Sequence, residues 1–397
     1  MSRFRLLAAL FTVISCTGNE SSPAVTVRDS AGVQIVASSR AAWDSSSRWR
    51  IAATPTLTIG TVDGAADYQF TRIVGATRFE DATIAVGDAG TNSIRFFDGN
   101  GKLVRTTGRM GNGPGEFRAL QSLRRAGDLL DVFDRRVNRI TVFDRNGSVV
   151  RTIQLSGARY VAVHRLTSGR WLATEEEGFF GGRIQENATP GLHRFPSAVV
   201  ILDSTGAVTD TVGIFPGAET AYYTIDGQVG SLHAAYGRTL AFATRGDTSY
   251  VVTGDVLGFD VHNLQGKRVR SVRARDRDST LGPADVTRFN ETFLAEISDS
   301  TARAGFRRAL EVAAAPPSKA AVGRILVDPR GAIWLSAYEN EFMPAPVWFV
   351  FDRDGRYLGD VSMPAGLRLL EIGDRHVLGF AKDDTGVEFV RVHELTR

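Results

Sequence analysis

The chain has 397 residues, a formal net charge of +3 and a hydrophobic fraction of 43%. This hydrophobic fraction excludes a disordered chain and is typical of a folded globular protein. Removing Arg3 and Arg5 with the leader described below takes +3 to +1, so the body has no broad basic surface and no nucleic-acid partner is expected. The single cysteine, Cys16, excludes an intrachain disulfide bond.

The first residues are typical of an exported protein. Arg3 and Arg5 precede an apolar run over residues 6–14, which is too short to span a bilayer but suits a signal peptide. The following VISC resembles the lipobox of bacterial lipoproteins. This resemblance implies a signal peptide at residues 1–15, a lipid on Cys16, a flexible tether over residues 16–23 and a place in the cell envelope, on the periplasmic side or at the outer membrane. An ordinary signal peptide with an incidental cysteine is the alternative.

One phrase recurs five times: an apolar strand, Asp or a substitute, two residues, Gly, and a second strand. Its arms are rich in β-branched and aromatic residues and its tip carries turn-forming residues, so each copy predicts a β-hairpin. The copies are residues 94–108, 140–155, 199–213, 259–274 and 348–363. A further strand pair precedes each copy, which makes a unit of four strands, as in a propeller blade.

Five complete units span residues 70–108, 116–155, 159–213, 239–274 and 320–363. Residues 367–395 supply three more strands, and residues 54–60 supply the fourth. Joining the two ends of the chain in one blade leaves no free sheet edge at the seam. Residues 24–397 are therefore predicted to form an all-β six-bladed β-propeller of four-stranded antiparallel blades, closed by the N- and C-terminal strands.

The glycine-rich segment GRMGNGPGEF covers residues 108–117. A phosphate-binding loop would need a following helix and a Lys-Ser/Thr pair, and neither is present. The segment instead predicts the sharp corner between two blades, with Phe70 and Phe117 filling the apolar space between neighbours.

This segment, the repeated hairpins and VDPRGAIWLSAYE (327–339) resemble the bacterial six-bladed β-propeller proteins with NHL-like repeats, many of which are lipoproteins. The resemblance covers about residue 30 to the end and implies a fold. It implies no chemistry, because such folds carry unrelated functions.

Two segments depart from the repeat. Residues 24–38 predict an additional hairpin against the closing blade. Residues 283–314 predict a helical insertion, with Val286, Phe289, Phe293 and Ile297 on one face, a break near Asp299 and a stop at the following prolines. The insertion is expected to pack one apolar face on the ring, and a lid or partner-binding element over the channel is the alternative.

Functional groups of a propeller lie at the mouths of its central channel. By position alone the candidates are Arg72, Arg124, Arg125, His164, Glu175, Glu176, Arg245, Asp247, Asp328 and His376. A solvated loop charge is the simpler explanation of each.

The sequence contains no GxSxG, HExxH, CxxC or P-loop motif, and its six histidines form no ligand-spaced pair. No metal site or cofactor is predicted, although the acidic residues 174–178 could join Asp247 or Asp328 around calcium or another divalent cation. The arginines of residues 118–145 could face an acidic ligand or lipid headgroups, but strand alternation spreads them over several faces and favours a solvated surface.

These observations favour a monomeric, non-catalytic envelope lipoprotein, anchored to the membrane through Cys16, that binds a protein, peptide or glycan. The alternative is a divalent-metal-dependent lactonase-like or sugar-processing hydrolase with its site at the central channel. That enzyme predicts three or more carboxylate, Asn or His groups that converge on the axis.

Overall fold

The computed structural model describes residues 24–175, 189–275, 277–340 and 342–397. The predicted signal peptide, the tether with Cys16, and Glu176 lie outside the described residues. The described residues form six β-sheets, whose innermost strands contact one another in ring order, the last contacting the first. The prediction of an all-β six-bladed propeller is confirmed.

Four short strands precede the first complete blade. They are β1 (Val25–Ser30), β2 (Val33–Ser38), β3 (Arg50–Ile51) and β4 (Leu57–Ile59), and a 3₁₀ turn (Ala66–Tyr68) follows them. β1 and β2 pair as the predicted hairpin.

Blades 1 and 2 are regular four-stranded antiparallel sheets with the first strand at the channel. Blade 1 contains β5 (Ile73–Arg78), β6 (Ile84–Asp88), β7 (Ser93–Phe97) and β8 (Leu103–Thr107). Blade 2 contains β9 (Leu120–Ala126), β10 (Leu129–Asp134), β11 (Arg139–Asp144) and β12 (Val149–Gln154).

Blade 3 departs from the predicted four strands. It contains β13 (Tyr160–Arg165), β14 (Trp171–Glu175), β15 (Gly191–Leu202), β16 (Val208–Ile225) and β17 (Gln228–His233). Of the twelve residues of β15, only the last four pair with β14. The rest of β15, the second half of β16 and the whole of β17 pair with one another and extend beyond the blade. We call this extension, residues 191–198 and 213–233, the outgrowth.

Blade 4 and a pair of helices follow. The blade contains β18 (Ala241–Arg245), β19 (Thr248–Val252), β20 (Gly258–His262) and β21 (Arg268–Ala274), and the helices are α1 (Pro283–Ala295) and α2 (Ser300–Val312). Asp299 caps α2 by accepting a hydrogen bond from the Ala302 backbone N, which explains the predicted break. Within the described part of the chain, no helix has the length and apolar character needed to cross a membrane.

Blades 5 and 6 complete the ring. Blade 5 contains β22 (Ile325–Val327), β23 (Ile333–Ser336), β24 (Val347–Phe351) and β25 (Tyr357–Ser362), and blade 6 contains β26 (Arg368–Ile372), β27 (His376–Lys382) and β28 (Glu388–Thr396). β4 pairs with β28, with Ile59 opposite Val390 and Leu57 opposite Val392. The predicted closure by the two ends of the chain is confirmed.

The predicted place of the N-terminal hairpin is wrong. β2 pairs in parallel with β21, so the hairpin extends the rim of blade 4, not blade 6. The rim side of β28 is already paired with β3 and β4, whereas the edge of β21 is open to β2. Val36 of β2 is buried there with Phe259 and Val272.

The hydrophobic core lies between the blades. The described residues form six buried clusters, one between each pair of neighbouring blades. Alternation along each strand supplies apolar side chains to both faces of a sheet, which is why every blade packs on two neighbours.

The glycine-rich segment forms the predicted corner between blades 1 and 2. Glu116 Oε2 accepts a hydrogen bond from the Gly113 backbone N at 2.8 Å, and Arg139 donates to the carbonyl oxygens of Asn112 and Gly113. Phe117 is fully buried in the cluster between the two blades. The segment's own groups and the next blade therefore satisfy its polar atoms, and the nucleotide-loop alternative finds no support.

Candidate functional site: the axial channel

The channel has two mouths because the six innermost strands all run in the same direction. We call the end where these strands begin the upper mouth, and the end where they stop the lower mouth. A cavity of about 570 Å³ lies at the upper mouth and one of about 910 Å³ at the lower mouth. Arg124, His164 and Leu370 line both cavities and so mark the middle of the channel.

Two of the carboxylates that line the lower cavity, Asp131 and Glu371, are held by structural partners. Asp131 and Arg165 form a two-point ion pair, with Arg165 Nε 2.8 Å from Asp131 Oδ2. Burial raises the pKa of Asp131, and the Arg165 charge opposes that rise. Glu371 accepts a hydrogen bond from Thr77 of blade 1, and its Oε1 lies 3.7 Å from His376 Nε2.

Asp328 borders the lower cavity but is a buried structural residue. Its carboxylate accepts hydrogen bonds from the Ala332 backbone N at 2.8 Å and from Trp334 Nε1 at 3.3 Å. Its Oδ2 also lies 2.7 Å from Arg397 Nη1, and both side chains of this ion pair are buried. With these lone pairs engaged, Asp328 stabilises the turn and the C-terminus.

The upper mouth is lined by arginine. Its described lining contains one carboxylate, Glu388, which is buried and accepts a hydrogen bond from the Ile73 backbone N. Burial raises the pKa of Glu388 and so disfavours its negative form. The lining arginines come from several blades: Arg72, Arg124, Arg135, Arg324 and Arg368.

Arg124 and His164 form the floor of the upper mouth. Arg124 is exposed to the channel cavity, and the surrounding blades partly desolvate its guanidinium group. This desolvation, together with the nearby Arg324, lowers the pKa of Arg124 to about 10. His164 is buried against Phe242, with ring centroids 4.4 Å apart, and burial and then Arg124 lower its pKa well below the usual value. His164 is therefore neutral at physiological pH.

Seven of the sequence candidates line the two cavities, three of them at the upper mouth. Arg72, Arg124 and His164 line the upper cavity, and the lower cavity includes the following candidates: Arg124, Arg125, His164, Arg245, Asp328 and His376. Asp247 lies outside both linings and accepts a hydrogen bond from the Ser168 backbone N at 2.8 Å, joining the turns of blades 3 and 4.

Glu175 does not join Asp247 or Asp328, which was the possible acidic convergence. Glu175 ends β14 opposite Tyr160, on the upper side of blade 3, whereas Asp247 and Asp328 follow innermost strands on the lower side. Glu176 lies outside the described residues. No group of three or more His, Cys, Asp or Glu within the described ranges is arranged to hold a metal ion.

Both insertions stand on the upper side. The outgrowth ends at His233, shortly before β18 begins at the upper mouth. Burial, followed by the charge of Arg135, lowers the pKa of His233. In the helical pair, Phe289 packs against Tyr236 and Phe342 at the start of blade 4 and above blade 5. The predicted apolar face of the insertion therefore contacts the ring.

The helical pair links opposite sides of the ring. Arg308 Nη2 lies 2.9 Å from Asp226 Oδ2 in the outgrowth of blade 3. At the other end, Lys382 Nζ of blade 6 lies 2.6 Å from Glu296 Oε2, just after α1. Blades 3 and 6 face each other in a ring of six, so the pair spans the upper side of the molecule.

Sequence reasoning missed Arg324 and Arg368 and assigned Arg135 to a scattered solvated surface. A signal was present in the repeats, because Arg72, Arg324 and Arg368 each stand directly before two aliphatic residues at the start of an innermost strand. Equivalent positions in a closed ring converge on the axis. An alignment of the repeats on this position would have placed the three arginines at one mouth.

Comparisons with known proteins agree with this fold. Residues 67–171 match a family model, DUF5128, described as a 6-bladed beta-propeller. No curated protein matches the chain. A solved structure from Bacteroides vulgatus, a member of the DUF4221 family, is similar at a TM-score of 0.54 and 12% identity, over 88% of this chain and 99% of that one. This likeness supports the fold.

Two further solved structures are less similar. A candidate exported protein of Bacteroides fragilis gives a TM-score of 0.49 at 12% identity, over 90% of this chain and 99% of that one. A luciferin-regenerating enzyme gives 0.41 at 9% identity, over 87% and 96%. The protein is a six-bladed β-propeller, and the resemblance to bacterial six-bladed propellers noted in the sequence is confirmed to that extent.

Proposed function

We propose that the protein is a monomeric, non-catalytic binding module of the cell envelope that takes a protein, peptide or glycan at its upper mouth. The observation that carries this proposal is the upper cavity of about 570 Å³, which lies on the side of the ring that bears both insertions. Concave sites of this size with a few convergent polar groups are typical ligand sites. The basic start, apolar run and VISC of residues 1–16 support a lipid anchor on Cys16.

The charges of the channel favour binding over metal-dependent hydrolysis. A divalent-metal hydrolase needs several carboxylate, amide or imidazole groups that converge and remain free to coordinate. Across the described ranges no such group converges, and Asp131 and Asp328 are engaged by Arg165 and Arg397. We therefore propose that the module works without a resident metal.

Blocking one mouth at a time tests the proposal. Ser122 lines the upper cavity and Ala126 the lower one, and both belong to β9. On peptide and glycan arrays, we expect Ser122→Trp to lose at least tenfold in affinity for the ligands of the wild type, because the indole projects into the cavity and obstructs it. Ala126→Trp is the matched control and should keep the wild-type affinity.

Two results would contradict the proposal. Equal binding by the Ser122→Trp and wild-type proteins would place the ligand elsewhere. Elemental analysis that finds one divalent ion per chain, with a melting temperature several degrees lower after chelation, would favour the hydrolase.

A further inference from the structure

Two arginines, Arg124 and Arg324, line the upper cavity from opposite sides of the ring. Arg124 belongs to β9 of blade 2, and Arg324 directly precedes β22 of blade 5. Blades 2 and 5 face each other across the axis of a six-bladed ring. Both residues line the upper cavity, and the charge of Arg324 contributes to the lowered pKa of Arg124.

Arg324 is held in place by the ring itself. Its Nη1 lies 2.9 Å from Glu339 Oε1, whose side chain is buried, and donates a hydrogen bond to the Leu369 carbonyl oxygen at 3.0 Å. Its guanidinium also lies over the Trp348 ring, 5.8 Å from the centroid. A donor fixed in this way loses little conformational entropy when a ligand arrives.

Arg124 lacks such partners. Within the described residues it has neither an ion pair nor a hydrogen bond. Asp131 stands opposite it on β10 but is engaged by Arg165, and the charge of Arg324 repels Arg124. The wall around it includes Val161, Val163 and Leu370, which lower the local dielectric and strengthen any interaction between charges. An arginine that is exposed to the cavity and has no partner keeps its hydrogen-bond donors available to an anion from solution.

We propose that the upper mouth binds an oxyanion, the carboxylate or phosphate group of a ligand, between Arg124 and Arg324. This inference rests on the proposed function and names the chemical class that the binding module recognises. An oxyanion accepts hydrogen bonds from both guanidinium groups, in the geometry for which arginine is suited. His164 lies beside it as a neutral imidazole and adds no positive charge.

Titration with simple anions tests the inference. The probes are tripolyphosphate and citrate, added separately at constant ionic strength to the purified full-length protein and followed by calorimetry. We expect one anion to bind per chain, and the better probe shows whether phosphate or carboxylate is preferred. Arg124→Gln should weaken this binding by about tenfold to a hundredfold, the usual effect of losing one charge-assisted hydrogen-bond donor.

Arg125→Gln is the matched control. Arg125 is the next residue of β9 and lines only the lower cavity, so its loss should change the affinity by less than twofold. The melting temperature of the free Arg124→Gln protein should equal or exceed that of the wild type, because an unpaired cation is removed.

Each contrary result overturns the inference. Failure of the wild type to bind either probe shows that the mouth is not an oxyanion site. If both glutamine variants lose the same anion affinity, the anion is attracted by the overall positive charge and not by a defined site. If Arg124→Gln misfolds or melts at a lower temperature, Arg124 stabilises the fold. If array ligands depend on Ser122 but not on Arg124, the proposed function stands and the oxyanion inference alone fails.

Discussion

At the scale of single residues, the pairing of a charge decides its role in this channel. Arg165 and Arg397 neutralise Asp131 and Asp328 at the lower mouth and belong to the structure. Arg124 has no such partner among the described residues, and its positive charge remains available to a ligand. All three cations are arginines, and they differ only in whether a carboxylate lies beside them.

The pKa of His164 offers a test of how strongly the middle of the channel is shielded from water. Its unfolded pKa is about 6.5 and its folded pKa is well below that, so the contribution of neutral His164 to stability is fully present above pH 6.5. As the pH falls below 6.5, the unfolded chain gains a proton that the folded chain does not. Between pH 8 and pH 5 we expect the free energy of unfolding of the wild type to fall by about 2 kcal/mol more than that of His164→Gln.

Urea denaturation of both proteins across this range measures the difference. The value at pH 8, where the imidazole is neutral in both states, gives the packing cost of the substitution and serves as the control. A difference in free energy of unfolding between the two proteins that stays constant from pH 8 to pH 5 would contradict a lowered pKa of His164.

At the scale of elements, the corner between blades 1 and 2 depends on a close approach of the backbone. Gly108 has a φ of +85°, and a Cβ placed there would lie 2.8 Å from Phe117 Cε2 and 3.1 Å from the Asn92 carbonyl oxygen. Phe117 in turn fills the cluster between the blades. The glycine is therefore required by both its dihedral angle and its neighbours.

Gly108→Ala should destabilise the protein by about 3 kcal/mol, through left-handed strain and displacement of Phe117. Gly127 has a φ of +64° with open space around it, so Gly127→Ala should cost only about 1 kcal/mol of strain. Thermal and urea unfolding give both values. Equal losses in the two variants would show that contact with Phe117 is unimportant.

At the scale of the whole molecule, stability depends on closing the ring. β4 supplies the outer strand of blade 6, and Ile59 joins the cluster between blades 6 and 1. The β1–β2 hairpin adds to the rim of blade 4 and takes no part in closure. The N-terminal segment thus has one part outside the ring and one part that seals it.

Two shortened chains separate these parts. A chain that begins at residue 39 lacks the hairpin and should melt in one cooperative transition, at a reduced temperature because Val36 is lost from its cluster. A chain that begins at residue 61 also lacks β3 and β4, and the open blade should melt earlier and expose an aggregation-prone edge. Calorimetry checks both, and equal cooperativity would show that closure by β4 is dispensable.

The fold was largely predictable because its signals are local. The tip residues Asp98 and Asp144 each accept backbone hydrogen bonds in the turn that their own sequence defines. Alternating apolar residues then predict strands whatever their neighbours are. The outgrowth was missed because β16 continues through Gly213 and the Pro216-Gly217 pair, which are residue types that usually end a strand.

The sequence by itself determined the repeat, the strands and the helical insertion, since each follows from the order of residues within a short stretch. Counting the strands of all the repeats then predicted the closure by the two ends. Only the tertiary structure decided where the N-terminal hairpin lies, which carboxylates are neutralised and that Arg124 and Arg324 line the same cavity. Residues 124 and 324 are about 200 positions apart in the chain, and only the closed geometry of six blades brings them to the same cavity. No local pattern of amino acids contains that information.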